Sequence, residues 1–323
     1  MDINRRRLLA LGAGAAAAAT AGAVATPAAA TEATTSGVPS DAALARSLGL
    51  RSKYAKGQHY VIGGQGEPLV LLPGWPQTWW EFHKILPALA KRYTVIALDL
   101  RGMGGSDKPA DGYDKKTMAR DVYDLIRHLG YDSVNIAGHD IGAMVAHSFA
   151  VNHRAATRKV VLMDVGHPDP SLYDQPLLVR PGQGISLWWF AFNQVQGLPE
   201  QLITGRSRYV VDYFMDAFPL DPSTIDERSR RIYAHAYSGP QAIRAGNAWY
   251  QAFHTDIVDF ATYGRITAPF LGLTSEFSHD FMQAVWAEQG TDVRVHKIPG
   301  TGHFLAEENP QAVIAELTAF LSH

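Results

Sequence analysis

The chain has 323 residues, no cysteine, and 29 Lys+Arg against 31 Asp+Glu, a formal net charge of -2. No disulfide, thiolate nucleophile or cysteine-ligated metal is available, and near-neutrality with no basic run beyond the first ten residues argues against nucleic acid as a partner. Apolar residues make up 46% and aromatics 10%, enough for a large core, and the length suits one large domain or one domain carrying an insertion.

Arg5-Arg6-Arg7 stand before a Gly/Ala-rich stretch, and Ala28-Ala29-Ala30 offers a small-residue cleavage site. Residues 1–30 therefore read as a twin-arginine-type export signal, which places the remainder in the periplasm or outside the cell. The stretch is alanine-dominated and broken by Gly12, Gly14 and Gly22, so stable membrane insertion is not expected. Residues 31–50 read as a linker into the fold.

His59–Ile62 and Pro68–Leu72 are β-favouring runs separated by Gly63-Gly64-Gln65-Gly66, which predicts a hairpin. Thr78-Trp79-Trp80-Glu81 has capping-box spacing and predicts a helix to about Leu89. Strands are predicted over Tyr93–Leu98, Ser133–Ala137 and Arg158–Met163, and helices from about Lys116 to Leu129 and over Ile141–Val151. From about Gly166 to Phe260 the chain turns aromatic and loses strand character. Alternation then resumes with strand Pro269–Leu273, helix Asp280–Glu288, strand Val293–Ile298 and a last helix capped by Asn309-Pro310. This pattern predicts an α/β fold with a mostly parallel sheet covered by helices on both faces. The expected division is core 51–165, inserted helical cap 166–260 and core 261–323, because the middle segment is too long for a loop.

Gly138-His139-Asp140-Ile141-Gly142 carries a strand into a helix through G-x-D-x-G, the nucleophile-elbow pattern with Asp in place of Ser. The glycines permit a tight turn that lifts the Asp140 side chain to the C-terminal edge of the sheet. Pro73-Gly74-Trp75-Pro76 follows a strand, where a loop supplies one oxyanion-hole amide from Trp75; the residue after the nucleophile, Ile141, supplies the other. Gly302-His303-Phe304 falls where the base of a nucleophile–acid–histidine chain order belongs. The acid is Asp164, at the end of its strand, or Glu276, beyond a later one.

These residues resemble the epoxide hydrolase and haloalkane/haloacetate dehalogenase branch of the α/β-hydrolase superfamily, from about Tyr54 to Leu321. Asp99-Leu-Arg-Gly-Met-Gly-Gly-Ser106 matches that branch's D-x-R-G-x-G-x-S segment, alongside the loop, elbow and histidine already quoted. Pro73 departs from it, standing where the family has the histidine of H-G-x-P. The resemblance implies an α/β-hydrolase fold and an Asp140 nucleophile that forms an alkyl ester at an sp³ carbon. Water activated by His303, itself oriented by Asp164, then hydrolyses the ester, and the chemistry asks for no metal and no cofactor.

The leaving atom falls to the cap. By resemblance Tyr237 matches a cap tyrosine that protonates an epoxide oxygen or helps to hold halide; Trp188 stands near a second donor position and Trp189 where haloacetate dehalogenases carry Trp. Trp75 would join them in holding halide. Ile141 replaces the Trp or Arg that dehalogenases place after the nucleophile, which favours a small apolar epoxide as substrate over a haloalkane or haloacid. The remaining alternative is a hydrolase-like binding protein without turnover.

Overall fold

In the computed structural model, residues 37–180 and 186–322 are described; the stretch 1–30 expected to be an export signal lies outside them. The 31–50 linker is not featureless. Ser40 caps a short helix, α1 (Asp41–Ser47), by accepting a hydrogen bond from the Ala43 amide, and Leu44 and Ala45 are buried.

Eight strands form one sheet: β1 (Arg51–Ala55), β2 (Gln58–Gly64), β3 (Pro68–Leu72), β4 (Thr94–Leu98), β5 (Val134–His139), β6 (Thr157–Met163), β7 (Phe270–Thr274) and β8 (Val293–Lys297). Their spatial order is β1-β2-β4-β3-β5-β6-β7-β8. β2 pairs antiparallel with β1 and β4, and every other neighbour pair is parallel. The expected β2–β3 hairpin does not form. All five residues of β3 are buried, which demands a neighbour on each side, and β4 and β5 supply them. Gly64, at φ +83°, passes so close under the chain before β4 that a Cβ there would lie 2.2 Å from the Tyr93 carbonyl oxygen.

The helix predicted from Thr78 is also different. A single 3₁₀ turn, Trp79–Phe82, is capped by the Thr78 hydroxyl, and helix α2 covers only Leu86–Leu89. Glu81 does not close a capping box; it reaches the Gly74 amide instead. Helices α3 (Lys115–His128) and α4 (Ile141–Asn152) follow the predicted periodicities within a few residues. Buried positions run through α4 from Ile141 to Val151, as they must in a helix covered on all sides. Its small residues allow that. A Cβ on Gly142 would stand 2.0 Å from the Leu72 carbonyl oxygen. Gly142→Ala is therefore expected to lower stability by about 3 kcal/mol or more, read as a fall in the urea midpoint at unchanged slope.

Between β6 and β7 the described residues form helices and no strand: α5 (Trp188–Gln194), α6 (Leu198–Ile203), α7 (Ser207–Ala217), α8 (Glu227–Ala236), α9 (Pro240–Gln251) and α10 (Phe253–Phe260). The chain ends in α11 (His279–Gln289), α12 (Leu305–Glu308) and α13 (Pro310–Leu321), where Asn309 accepts from the Ala312 amide as predicted for its cap. The helical segment is bonded to the core by a fully buried ion pair. Lys115 Nζ, at the start of α3, lies 2.8 Å from Asp256 Oδ2 on α10, and the Lys115 amide donates to the other oxygen of Asp256 at 2.7 Å. Among the described residues no helix is long and apolar enough to cross a membrane.

Candidate active site

Register carries the ends of the central strands to one edge. Leu72 pairs with Gly138, His139 with Met163, and Met163 with Leu273. Trp75, Asp140, Asp164 and Ser275, each just past its strand, therefore gather at the point where strand order reverses, the usual ligand crevice of an open α/β sheet. Asp140 has φ +50° and ψ -121°, a conformation that costs a side-chain-bearing residue roughly 1–3 kcal/mol and holds the carboxylate clear of the turn.

Asp140 Oδ1 accepts from the Trp75 amide at 3.0 Å. The Ile141 amide stands in the first turn of α4, where N–H groups have no partner within the helix. Gly74 is forced by this approach: a Cβ on it would meet Asp140 Cβ at 2.6 Å. On the other side, Asp140 Oδ2 lies 3.7 Å from His303 Nε2, and His303 Nδ1 lies 2.8 Å from Asp164 Oδ2. Asp164, itself at φ +61°, accepts on its other oxygen from the Ser275 amide at 2.7 Å and from the Ser278 hydroxyl.

One imidazole thus bridges two carboxylates, Asp164 buried and Asp140 partly exposed to the cavity. Burial works against its charge, but hydrogen bonds and attraction to Asp140 and Asp164 prevail, and its pKa rises to about 10. Asp140 is held below the usual carboxylate range: burial opposes ionisation, and the His303 bond and charge, His139 and the Trp75 amide outweigh it. Glu276 is not part of this arrangement. It is exposed, accepts from the Gly300 amide at 3.1 Å and lies 3.6 Å from Lys297.

A cavity of about 420 Å³ opens over Asp140 and His303. Its walls are chiefly apolar, with Met144, Leu172, Phe190, Phe218 and Phe281 among them, and Arg180 is an exposed cation on its lining. Trp189 lines it. Trp188 does not: its indole N–H donates to the Tyr213 hydroxyl at 3.1 Å. Trp75 packs its ring edge-on to Phe214 and Tyr250, at 4.8 and 5.6 Å between centroids.

Tyr237 is likewise turned away from the cavity. It is the C-cap of α8, and its buried hydroxyl donates to the Gln77 carbonyl at 2.9 Å, beside a separate void of about 20 Å³. Sequence reading did not single out a second buried cap tyrosine. Tyr250 on α9 is buried, packs its ring against Trp75 and the cavity residue Phe190, and is pushed well above its ordinary pKa, first by burial and then by the Asp140 charge. No motif marks it; only the inward phase of α9, with Ala245, Gly246, Trp249 and Tyr250 all buried, selects it.

Asp41, His59 and Asp99 bring ligand-type atoms within 4.8 Å of one another. Their hydrogen bonds are structural: Asp99 accepts from the Trp79 and Gly105 amides and Asp41 from the Trp79 indole, while His59 lies between Asp99 and Ser52. This cluster organises the Asp99 turn rather than the Asp140 cavity.

Residues 67–310 match the alpha/beta hydrolase fold family, and the chain belongs to it. Over 275 residues it is 34% identical to the soluble epoxide hydrolase of Corynebacterium sp. (strain C12), covering 82% of this chain and 93% of that one. Over 285 residues it is 29% identical to the fluoroacetate dehalogenase of Burkholderia sp., covering 81% and 89%. The solved structure of the epoxide hydrolase CorEH without ligand superposes with a TM-score of 0.74 at 32% identity, covering 84% of this chain and 99% of its own. The protein is an α/β-hydrolase of the branch that holds epoxide hydrolases and dehalogenases.

Proposed function

We propose that the protein is an epoxide hydrolase that converts small apolar epoxides into vicinal diols through an ester of Asp140. The observation carrying this reading is the His303 imidazole bridging Asp140 and Asp164 under an apolar cavity. Asp140 Oδ2 attacks an epoxide carbon and the C–O bond opens, leaving an alkoxide that needs a proton. Tyr250, packed against Trp75 and the cavity residue Phe190 and within the field of Asp140, supplies it. Esterification removes the Asp140 charge, so His303 loses one of the two carboxylates that hold its proton. The imidazole then releases that proton to restore Tyr250 and becomes a base.

In the second step His303 takes a proton from water, and the hydroxide attacks the ester carbonyl. The developing oxyanion is held by the Trp75 and Ile141 amides. Collapse breaks the ester and the diol oxygen takes the proton back from His303; Asp140 is left as the acid with one oxygen from water, and passing that proton to His303 restores the carboxylate and the charged imidazole.

Two features favour an epoxide over a carbon–halogen substrate: apolar Ile141 follows Asp140, and the cavity is large for a two-carbon acid. Arg180 on the lining is the observation favouring the second reading, a haloacid dehalogenase. The test is product analysis with a panel of epoxides, haloalkanes and haloacids. Diol from epoxides, without halide release from the others, supports the proposal; halide release alone overturns it. Within it, Tyr250→Phe is expected to slow epoxide opening by at least about a hundredfold. Tyr237→Phe removes a buried hydrogen bond, about 1 kcal/mol of stability, and leaves turnover of the folded protein little changed. Single-turnover kinetics on both variants checks this assignment.

A further inference from the structure

We infer that Glu81 and His139 are positioning residues, a buried brace that fixes the oxyanion loop and the His303 loop relative to each other. Neither belongs to the reacting set, and both are almost fully buried, at 2% and 1% exposure. Glu81 Oε2 accepts from the Gly74 amide at 2.8 Å, one peptide before the Trp75 amide that touches Asp140. Glu81 Oε1 lies 3.0 Å from His139 Nδ1, a close polar contact bent away from hydrogen-bond geometry. His139 Nε2 then donates to the His303 carbonyl at 2.8 Å, with the two imidazoles 4.5 Å apart between centroids.

The chain of contacts therefore runs Gly74 amide, Glu81, His139, His303 carbonyl. It starts on the loop after β3, passes through the residue before Asp140, and ends on the loop after β8. Asp140 also touches both the Trp75 amide and His303, but it is esterified in the first step, whereas this chain of contacts persists, and both its ends serve the same half of the proposed reaction. Alkylation uses the Asp140 carboxylate and a cap donor. Ester hydrolysis needs the Trp75 amide and the His303 ring in register with one carbonyl carbon, where a displacement of about 1 Å costs on the order of a hundredfold. A brace between those loops acts selectively on the second step.

This inference rests on Asp140 being the alkylated group, so its test has one arm with chemistry and one without. In the first arm, Glu81→Leu and Glu81→Gln are mixed with styrene oxide, and ester formation and decay on Asp140 are followed by rapid quench and peptide mass. The expected result is near-normal alkylation with hydrolysis slowed roughly tenfold to a hundredfold in Glu81→Leu, so that ester accumulates. Glu81→Gln keeps an acceptor for the Gly74 amide and should recover part of the rate. Equal loss in both steps, or loss in neither, overturns the brace. In the second arm, hydrogen exchange is compared in wild type and both variants. Faster exchange is expected together in the segments around Gly74 and around His303, and faster exchange near Gly74 alone overturns the inference. If no ester forms on Asp140 in any variant while both segments still loosen together, the epoxide reading fails and the brace stands.

Discussion

His303→Gln is expected to stop after one chemical event and leave an alkyl ester on Asp140. The alkylation step needs only the carboxylate and a proton donor for the alkoxide, and glutamine preserves the polar volume beside Asp140 Oδ2. Ester hydrolysis needs a base, and glutamine is none. Loss of a positioned general base costs about a hundredfold to ten-thousandfold, so the second step becomes limiting and the ester persists. Peptide mass after incubation with an epoxide should show the whole mass of the epoxide added to the peptide holding Asp140, because no atom leaves in an addition. A haloalkane would instead add its alkyl group less one hydrogen, with halide released. The size of the adduct therefore reports the chemistry as well as the residue. An unmodified Asp140 peptide from a folded variant, across the panel, would falsify the assigned nucleophile.

The second large effect is expected at Asp164. Its carboxylate accepts from His303 Nδ1 and is anchored by the Ser275 amide and the Ser278 hydroxyl. Asp164→Ala removes the group that fixes the imidazole's orientation and tautomer, and a loss of about ten-thousandfold in turnover is the scale set by comparable triads. Glu276→Ala should stay within about twofold, since that side chain is exposed and holds only the Gly300 turn and Lys297. Steady-state diol formation by the two variants decides between the carboxylates, and a larger loss at Glu276 would reverse the assignment. Alanine at 164 also leaves His303 with one carboxylate instead of two. Since both partners raise its pKa, the imidazole should lose its proton at a lower pH than in the wild type, a shift that a ring-nitrogen NMR titration would follow.

The elbow and the strands around it were legible in the sequence because local sterics leave little choice. Gly138 and Gly142 flank Asp140 where a Cβ would strike backbone within 2.1 Å, so the pattern itself reports the turn. Asp164 stood out because it ends a strand with a plain apolar run, with Glu276 left as the alternative, while His303 was found by its place in the chain order after the alternating strand Val293–Lys297. The hairpin and the capping box failed for one shared reason: long-range partners outbid local ones. β3 was claimed by β4 and β5, and Glu81 was claimed by the Gly74 amide. The cap was hardest to read. Tyr237 and Tyr250 are both buried tyrosines in aromatic surroundings, and only the fold reveals that one hydroxyl is spent on the Gln77 carbonyl while the other ring packs against Trp75 and Phe190.

The Lys115–Asp256 pair bears on how such an enzyme could change its substrate. One charge sits on the sheet-covering layer and the other on the inserted helices, both wholly out of water. Removing either alone strands its partner, a loss of roughly 3–5 kcal/mol. A segment borrowed from a relative to alter selectivity must therefore bring an acid to meet Lys115, or the recipient must give up the lysine at the same time. Single replacements along the cavity wall carry no such condition. New specificity is thus more accessible by repainting the walls than by exchanging the roof.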